Sequence, residues 1–553
     1  MTYGIDLGTT HSCIAHMDET GRPSVIKSAL GEDTTPSAVY FESAQSVVVG
    51  RAARDAARLE PDKVAQLVKR DMGTDAEYTY LGERHTPETI SALILRELAR
   101  TAAEHTGEQV RDVVITIPAY AGVAEREATR RAGQIAGLNV LDVLVEPVAA
   151  ALHYQAATSS AAAGTRNILV YDLGGGTFDT TVLRLDGDDV KVVCTDGDHR
   201  LGGADWDDVL ATYLLGEFEK KHPGLRPADD PAFMQDLLIS VEQLKKDLSV
   251  TQGRRYIMRF GGSVTRVELT RAKLEELAAH LLERTIEVTR RTIEKARAAA
   301  VDHYDDVLLV GGMTRMPVVG RALQEWLGLS ARLYEPELAV AKGAAQFAVL
   351  RTVRPDVSAR PPGLQALRPD AAAERTRAEQ VAAQTGMTVP EVEELASKRV
   401  STVISRGVGT RSIDGSDPVA LTDPARARHM VVHLLPANTP LPADTGPYTF
   451  ATAMDNQRMV MVEVWEQAGP DASTDVADNR KIGQGLLSNL PAKLPAMSPI
   501  EVTFFMSETG KLSVHAREPG SGQELKFDLR IGGFDQAGLD QARTAIGRYQ
   551  VSG

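Results

Sequence analysis

Gly4-Ile5-Asp6-Leu7-Gly8-Thr9-Thr10 and Tyr171-Asp172-Leu173-Gly174-Gly175-Gly176-Thr177 follow one pattern. Each runs apolar residue, Asp, Leu, then glycine with hydroxyl residues, and each opens a segment that reads onward as strand. The two aspartates stand 166 positions apart, which marks a half used twice and not the short period of a solenoid. Glycines let backbone N–H groups approach a phosphate closely, and small hydroxyls add donors. An aspartate before each glycine turn works against an anion unless a cation lies between them. Asp6 and Asp172 therefore imply Mg²⁺, held through water.

Two further glycine pairs extend the pattern. Gly202-Gly203 precedes Ala204-Asp205, and Gly311-Gly312 leads into Met313-Thr314-Arg315-Met316-Pro317. A glycine pair after a strand is most often only a turn; the ordered set reads as a nucleotide site. The chain has no G-x-x-x-x-G-K-[ST], which excludes the P-loop route. Around these turns, 113–117, 168–171 and 307–310 read as buried strands, and 88–105 and 274–299 carry the helical period. Strands alternating with helices predict α/β layers.

At 553 residues the chain is too long for one core and predicts three or four compact units. The first is expected over 1–352. Composition shifts to Pro, Arg and Ala over 351–370, so 353–399 reads as a boundary plus helical insertion. Within it, 371–385 looks helical with Gly386 able to end it, and Thr388-Val389-Pro390-Glu391 is a capping box that starts a second helix. Over 400–531, strand-like runs at 431–435, 460–465 and 500–504 with turns between them predict a β-sandwich. A short helical stretch, 536–549, fills the last expected unit, 532–553.

A net charge of -14 excludes phosphate-backbone binding as the main business. Cys13 and Cys194 make neither a disulfide framework nor a metal cluster, and fit a reducing cytosol. No run of about 18 apolar residues suggests a membrane span, and the first residues carry no signal-peptide pattern. A cytoplasmic protein is expected.

The motifs resemble the Hsp70 family of chaperones. The resemblance is carried by the two opening stretches (the second continuing as Phe178-Asp179), Ile117-Pro118-Ala119-Tyr120, Glu146-Pro147-Val148-Ala149-Ala150-Ala151-Leu152 and Leu309-Val310-Gly311-Gly312-Met313-Thr314-Arg315-Met316-Pro317. It covers about 1–350 strongly. Ala453-Met454-Asp455-Asn456-Gln457, Asp478-Asn479-Arg480-Lys481-Ile482-Gly483-Gln484 and Ile500-Glu501-Val502-Thr503-Phe504 extend it more weakly over 400–531. It implies an α/β actin-like ATPase domain, a duplicated ribonuclease H-like fold, followed by an all-β peptide-binding sandwich. The implied activity is hydrolysis of ATP to ADP with Mg²⁺, and K⁺ as a further cation, coupled to binding extended apolar segments of client proteins. A J-domain co-chaperone and a nucleotide-exchange factor are the implied partners.

Roles follow by the same resemblance. Lys69 matches the lysine that touches the γ-phosphate and attacking water, Glu146 the acid that helps order that water, and Asp172 a Mg²⁺-shell ligand beside Asp6. Thr177 matches a hydroxyl near the γ-phosphate. Thr9, Thr10, Gly174, Gly175, Gly176, Gly202, Gly203 and Gly311 belong to the nucleotide-binding turns. Glu242, Lys245 and Ser249 share one face of a predicted helix; alone they read as a solvated face, while the resemblance gives them the ribose and adenine, with Gly312 and Arg315 opposite. Pro118 and Arg126 match the relay between domains. Phe450 and Val460 match apolar groove positions, though plain core packing explains Phe450 equally well without a ligand.

The chain also departs from the family. About 45 residues replace the short acidic, leucine-rich linker, and 398–404 is basic. Asp142 stands where the bacterial family has an arginine that meets a J-domain acid, so repulsion is expected; two like charges at ~4 Å cost up to about 4 kcal/mol at an effective dielectric near 20. The long helical lid has no counterpart, and Arg411 replaces an apolar arch residue. His11 and Glu337 are substitutions near the nucleotide. The missing lid and altered linker favour an alternative, a nucleotide-gated scaffold with one dedicated protein partner. An actin-fold small-molecule kinase fits the motifs less well. Residues 382–392 have the look of a helix-turn-helix corner, but the basic residues are few and a helical spacer is the plainer reading.

Overall fold

The computed structural model describes residues 1–158, 164–355, 371–424, 426–469, 471–529 and 536–553. The boundary expected over 351–370 falls largely outside these residues, as does the junction expected at 531–532.

Two sheets dominate the first 350 residues, and they share one topology. The first runs Asn139–Val145, Asp112–Ile117, Thr2–Asp6, His11–Met17, Pro23–Ile26. The second runs Arg332–Leu333, Asp306–Val310, Arg166–Leu173, Phe178–Asp186, Asp189–Asp198. In both, the first three strands are parallel and the last two antiparallel to their neighbours. The sequence echo is thus an echo in space: Asp6 and Asp172 stand at the same end of equivalent central strands. Valine and isoleucine fill those strands because both faces are covered, which parallel sheets require.

Helices Glu146–Thr158 and Ala339–Val353 bring the two sheets together. Val148, Leu152 and Phe347 pack with Val114, Ile117, Ile168 and Val170 from both sheets in one core. The helices touch backbone to backbone: a Cβ on Gly343 would lie 1.8 Å from the Ala149 carbonyl oxygen. Gly4 serves the same purpose where the second helix crosses the central strand, its would-be Cβ 2.1 Å from the Ala345 amide nitrogen. Alanine residues line these contacts because nothing larger fits.

Each sheet carries a smaller unit. On the first side it is the sheet of Val39–Ser43, Ser46–Val49 and Val64–Ala65; on the second, the hairpin Gly253–Phe260 with Ser263–Thr270 and the helices Gly203–Lys221 and Pro231–Val250. The helix expected over 274–299 is two, Arg271–Leu277 and Ala279–Ala298, broken at Ala278. The break lets Leu274 on one helix and Leu281 and Leu282 on the other bury in the same core.

The insertion packs onto the first half. Helices Ala371–Gln384 and Val389–Ser397 bury Ala378, Val381, Val392 and Ala396 against Met17, Val349 and Val353. Thr388 and Glu391 form the expected reciprocal cap. Gly386 works differently from a left-handed helix stop: its φ is not positive, and its absent side chain admits the Glu19 carbonyl, which a Cβ would meet at 1.6 Å. Strand Arg399–Ser401 then joins the edge of the second sheet, parallel to Asp189–Asp198. Lys398 and Arg399 pair there with Asp188 and Asp189 at 3.2 and 2.5 Å, so the basic stretch is matched by acids of the same chain.

Residues 408–528 form two facing antiparallel sheets. One is His429–Leu435, Val408–Ile413, Val460–Gln467 and Asn479–Leu487; the other contains Ala443–Asp444, Tyr448–Ala451, Pro499–Met506, Leu512–Arg517 and Glu524–Asp528. Alternate residues such as Val462, Val464, Val502 and Phe504 meet in a shared core, as the period of two demands. Among the described residues, no helix is long and apolar enough to cross a membrane.

Candidate nucleotide site

The two echo turns face each other across a cavity of about 750 Å³. They approach so closely that a Cβ on Gly175 would lie 2.1 Å from Thr10 Oγ1, and one on Gly176 2.3 Å from Thr9 Cγ2. Thr9, Thr10, Gly174, Gly175, Thr177, Gly203, Gly311 and Gly312 line the cavity. Gly176 and Gly202 do not. They lie against one another behind the wall, a Cβ on Gly202 falling 2.5 Å from the Gly176 amide nitrogen.

Acid crowds the floor. Asp6, Glu146 and Asp172 line it, and Asp179 lies just behind, accepting the Tyr120 amide at 2.9 Å. Lys69 Nζ donates to Glu146 Oε1 at 2.8 Å. Burial, then Glu146, pushes the Asp6 carboxyl up to about 7 and Asp172 well above the usual range; Asp179 rises to about 8 for the same reasons. Burial works against the Lys69 charge, but Glu146 and Asp6 outweigh it and hold the ammonium above its ordinary value.

One lysine among so many buried acids leaves a site short of positive charge, and Mg²⁺ fits that deficit. Among the described residues no three acids close on one point as a direct metal cage needs. Asp6 and Asp172 suit a cation that keeps its water shell, which Mg²⁺ does.

The opposite end of the cavity is built by helix Pro231–Val250. Its period places Glu242, Lys245 and Ser249 on the cavity wall together. Lys245 Nζ donates to the Gly203 carbonyl at 2.6 Å and pairs with Asp207 at 2.8 Å, which ties this helix to the glycine turn. Glu242 pairs with Lys246 at 2.7 Å and with Arg54, which reaches across from the first half. These cations overcome burial and bring its carboxyl down to about 2. Burial lowers His11 to about 4 against the pull of Glu242, so its ring is neutral at pH 7. Across the cavity, Arg315 Nε meets Glu337 at 3.3 Å.

Sequence reasoning did not find Arg54 or Asp207, and it met Asp179 only as the end of a motif, with no role of its own. Arg54 sits on helix Arg51–Ala56 in no recognisable motif and meets Glu242 only through the fold. Asp207 had one trace, the acidic run Asp205-Trp206-Asp207-Asp208 after Gly202-Gly203.

Pro118 and Arg126 lie between this cavity and the sandwich. Pro118 lines a small void of about 40 Å³ with Lys69, Thr177, Asp179, Tyr120 and Arg406. Arg126 donates to the Val143 carbonyl at 2.5 Å, and the Gly510 turn of the sandwich presses on its side chain, a Cβ there reaching 2.9 Å from Arg126 Cδ. Ala124, on the same helix, is buried in the sandwich core. Phe450 and Val460 do not line the nucleotide cavity; both are half-buried against the sandwich core. Arg411 is held by Glu463 at 2.8 Å, over the Trp465 ring.

Asp142 corrects an expectation. It is buried, pairs with Arg351 at 2.6 Å and lies 3.8 Å from Arg130 Nη2. Its charge is neutralised inside the chain, so it offers no free negative charge to repel an acidic partner.

A family model described as Hsp70 protein matches residues 2–80, 74–359 and 420–536, taking in both glycine turns, the Lys69 segment and most of the sandwich. The chain belongs to the Hsp70 protein family.

Proposed function

We propose that this protein is an Hsp70-type ATP-dependent chaperone, with an actin-like ATPase domain whose nucleotide state biases a peptide-binding sandwich. The observation that carries the reading is the paired arrangement of Asp6 and Asp172 on equivalent strands, beside a lysine–carboxylate pair on the floor of a cavity walled by glycine turns. Asp6 and Asp172 would hold Mg²⁺ through its water shell, and it would supply charge neutralisation to the phosphates. Lys69 would hold a terminal phosphate and an attacking water, and Glu146 would accept a hydrogen bond from that water while fixing the ammonium. Phosphoryl transfer to water asks for little more than positioning and electrostatics. Glu242, Lys245, Ser249 and Arg315 would orient the nucleoside, and the neutral His11 ring can take either hydrogen-bond role without adding charge.

Extended peptide would lie against the sandwich through main-chain bonds, with Phe450 and Val460 beside its apolar side chains. The second reading, a nucleotide-gated scaffold, is favoured by one observation: Arg406, Glu125, Arg480 and Glu466 join the sandwich to the ATPase half through buried charges. The discriminating measurement is the affinity of a labelled apolar heptapeptide, first with ADP and then with ATP. The chaperone reading expects weaker, faster-exchanging binding with ATP. Equal binding in both states would separate the ATPase from peptide release, and no binding in either would favour the scaffold.

A further inference from the structure

The segment after the sandwich leaves it and docks on the first half of the chain. Helix Gln536–Gly547 lies against helices Pro87–Thr106 and Val123–Ile135. Leu539, Ala542, Ile546 and Tyr549 are buried in the core of that half. Arg96 donates to the carbonyl of Ile546 at 2.6 Å and reaches that of Tyr549 at 3.4 Å, satisfying oxygens at the end of the helix. Arg543 donates to the Gln134 carbonyl at 2.8 Å, and Arg548 pairs with Glu83 at 3.2 Å. The Tyr549 ring meets Phe41 edge-on at 6.0 Å, with its hydroxyl 3.4 Å from His85 Nε2. Strand Gln550–Ser552 then adds to an open edge, parallel to Ser46–Val49, with Val551 opposite Val47. An edge strand is a ready template for such addition.

The sheet gripped in this way is the one that feeds the nucleotide cavity. Ser46–Val49 runs straight into helix Arg51–Ala56, which carries Arg51 on the cavity wall and Arg54 paired with Glu242 across the mouth. At the far edge, Val64–Ala65 runs into the short helix Val68–Asp71, which carries Lys69. Holding the sheet therefore holds both the pair that spans the mouth and the lysine on the floor. Whatever favours the closed mouth must favour strap docking by the same factor, since coupling between sites is reciprocal.

We infer that residues 536–552 form a built-in strap that slows nucleotide release by clamping the sheet Ser46–Val49 belongs to. This inference rests on the nucleotide reading of the cavity. With the strap docked, the Arg54–Glu242 pair stays closed; with it released, the sheet loosens, the mouth opens and nucleotide leaves faster.

The test uses the full-length chain carrying Ile546→Ala and Tyr549→Ala together, with Val551→Pro as a milder second variant. Proline at 551 removes one strand N–H without emptying the buried core. Release of fluorescent ADP is followed by chase, and amide exchange is read over 46–48. The strap predicts loss of protection there and release at least about fivefold faster, the low end of allosteric coupling. A synthetic peptide of residues 536–552 should slow release again in the double variant. Lost protection with unchanged release would reduce the segment to a structural tie and overturn the inference, as would unchanged protection in both variants. Failure of the unaltered protein to bind ADP would instead sink the nucleotide reading, while amide exchange would still report strap docking. If the double variant does not fold, Val551→Pro alone decides.

Discussion

Lys69→Ala should leave Mg-nucleotide bound with affinity changed only a few-fold and slow its hydrolysis by about 10²–10³-fold, the usual loss when one electrostatic donor is taken from a reacting centre. On the proposed reading the binding surface is spread over the glycine turns and the helix Pro231–Val250, so no single side chain should dominate affinity. Lys69 instead supplies the one fixed positive charge among Asp6, Glu146 and Asp172. Without it Asp6, Glu146 and Asp172 would face a bound phosphate with only Mg²⁺ to balance them, and turnover should demand more Mg²⁺ than in the unaltered protein. Single-turnover hydrolysis across a Mg²⁺ titration separates the two effects. Lys69→Arg should recover little, because a planar fork does not replace a compact ammonium 2.8 Å from Glu146. Unaltered single-turnover rates in Lys69→Ala would remove this lysine from the chemistry.

The site was legible because its elements are short and local. Each glycine turn is a contiguous stretch near a strand end, and its meaning depends on close approaches that a side chain would block. The duplicated Asp6 and Asp172 turns therefore announced the two matching sheets. The face formed by Glu242, Lys245 and Ser249 followed from helical spacing. What stayed hidden depends on contacts far apart in sequence. Arg54 meets Glu242 across 188 positions, and nothing near Arg54 marks it. Asp142 was expected to repel an acidic partner because its neighbours along the strand say nothing of Arg351, which arrives on a distant helix.

The same limit applies to the joins between parts. The basic stretch at 398–404 is an edge strand whose charges meet Asp188 and Asp189, a pairing visible only once the sheet is assembled. Gly386 was read as a helix stop from local habit, whereas it is glycine because the Glu19 carbonyl occupies the space of a side chain. The helical period of 274–299 gave no hint of the break at Ala278, since both pieces share one buried stripe. The helix expected over 536–549 was legible from its apolar pattern, but not the surface that its buried face would find.

Arg406→Ala should detach the sandwich from the ATPase half and not merely weaken the contact. Arg406 is 4% exposed and Glu466 is 1% exposed, so both charges are out of water. Arg406 donates to Glu125 at 3.2 Å and lies over the Tyr120 ring, while Arg480 bridges Glu125 and Glu466 at 3.1 and 2.9 Å. Glu466 also accepts the Val123 amide at 2.7 Å, which fixes the helix that carries Arg126. The four charges balance. Removing Arg406 leaves the buried Glu466 and the partly exposed Glu125 sharing one guanidinium, and breaking a buried pair from one side costs about 3–5 kcal/mol. The molecule has a cheaper course than unfolding, since parting the two halves returns the acids to water. The expected result is a larger radius of gyration in X-ray scattering and two thermal transitions in place of one. Arg406→Met combined with Glu466→Met should restore much of the docking, because an apolar pair of similar volume often matches a buried ion pair. Arg480 and Glu125 then remain as partners. An Arg406→Ala chain that stays compact and melts once would show that the buried charges do not hold the halves together, and would shift that role to contacts such as Ala124 in the sandwich core, Ser405 on the Ala121 carbonyl and Asn438 on the Thr195 amide.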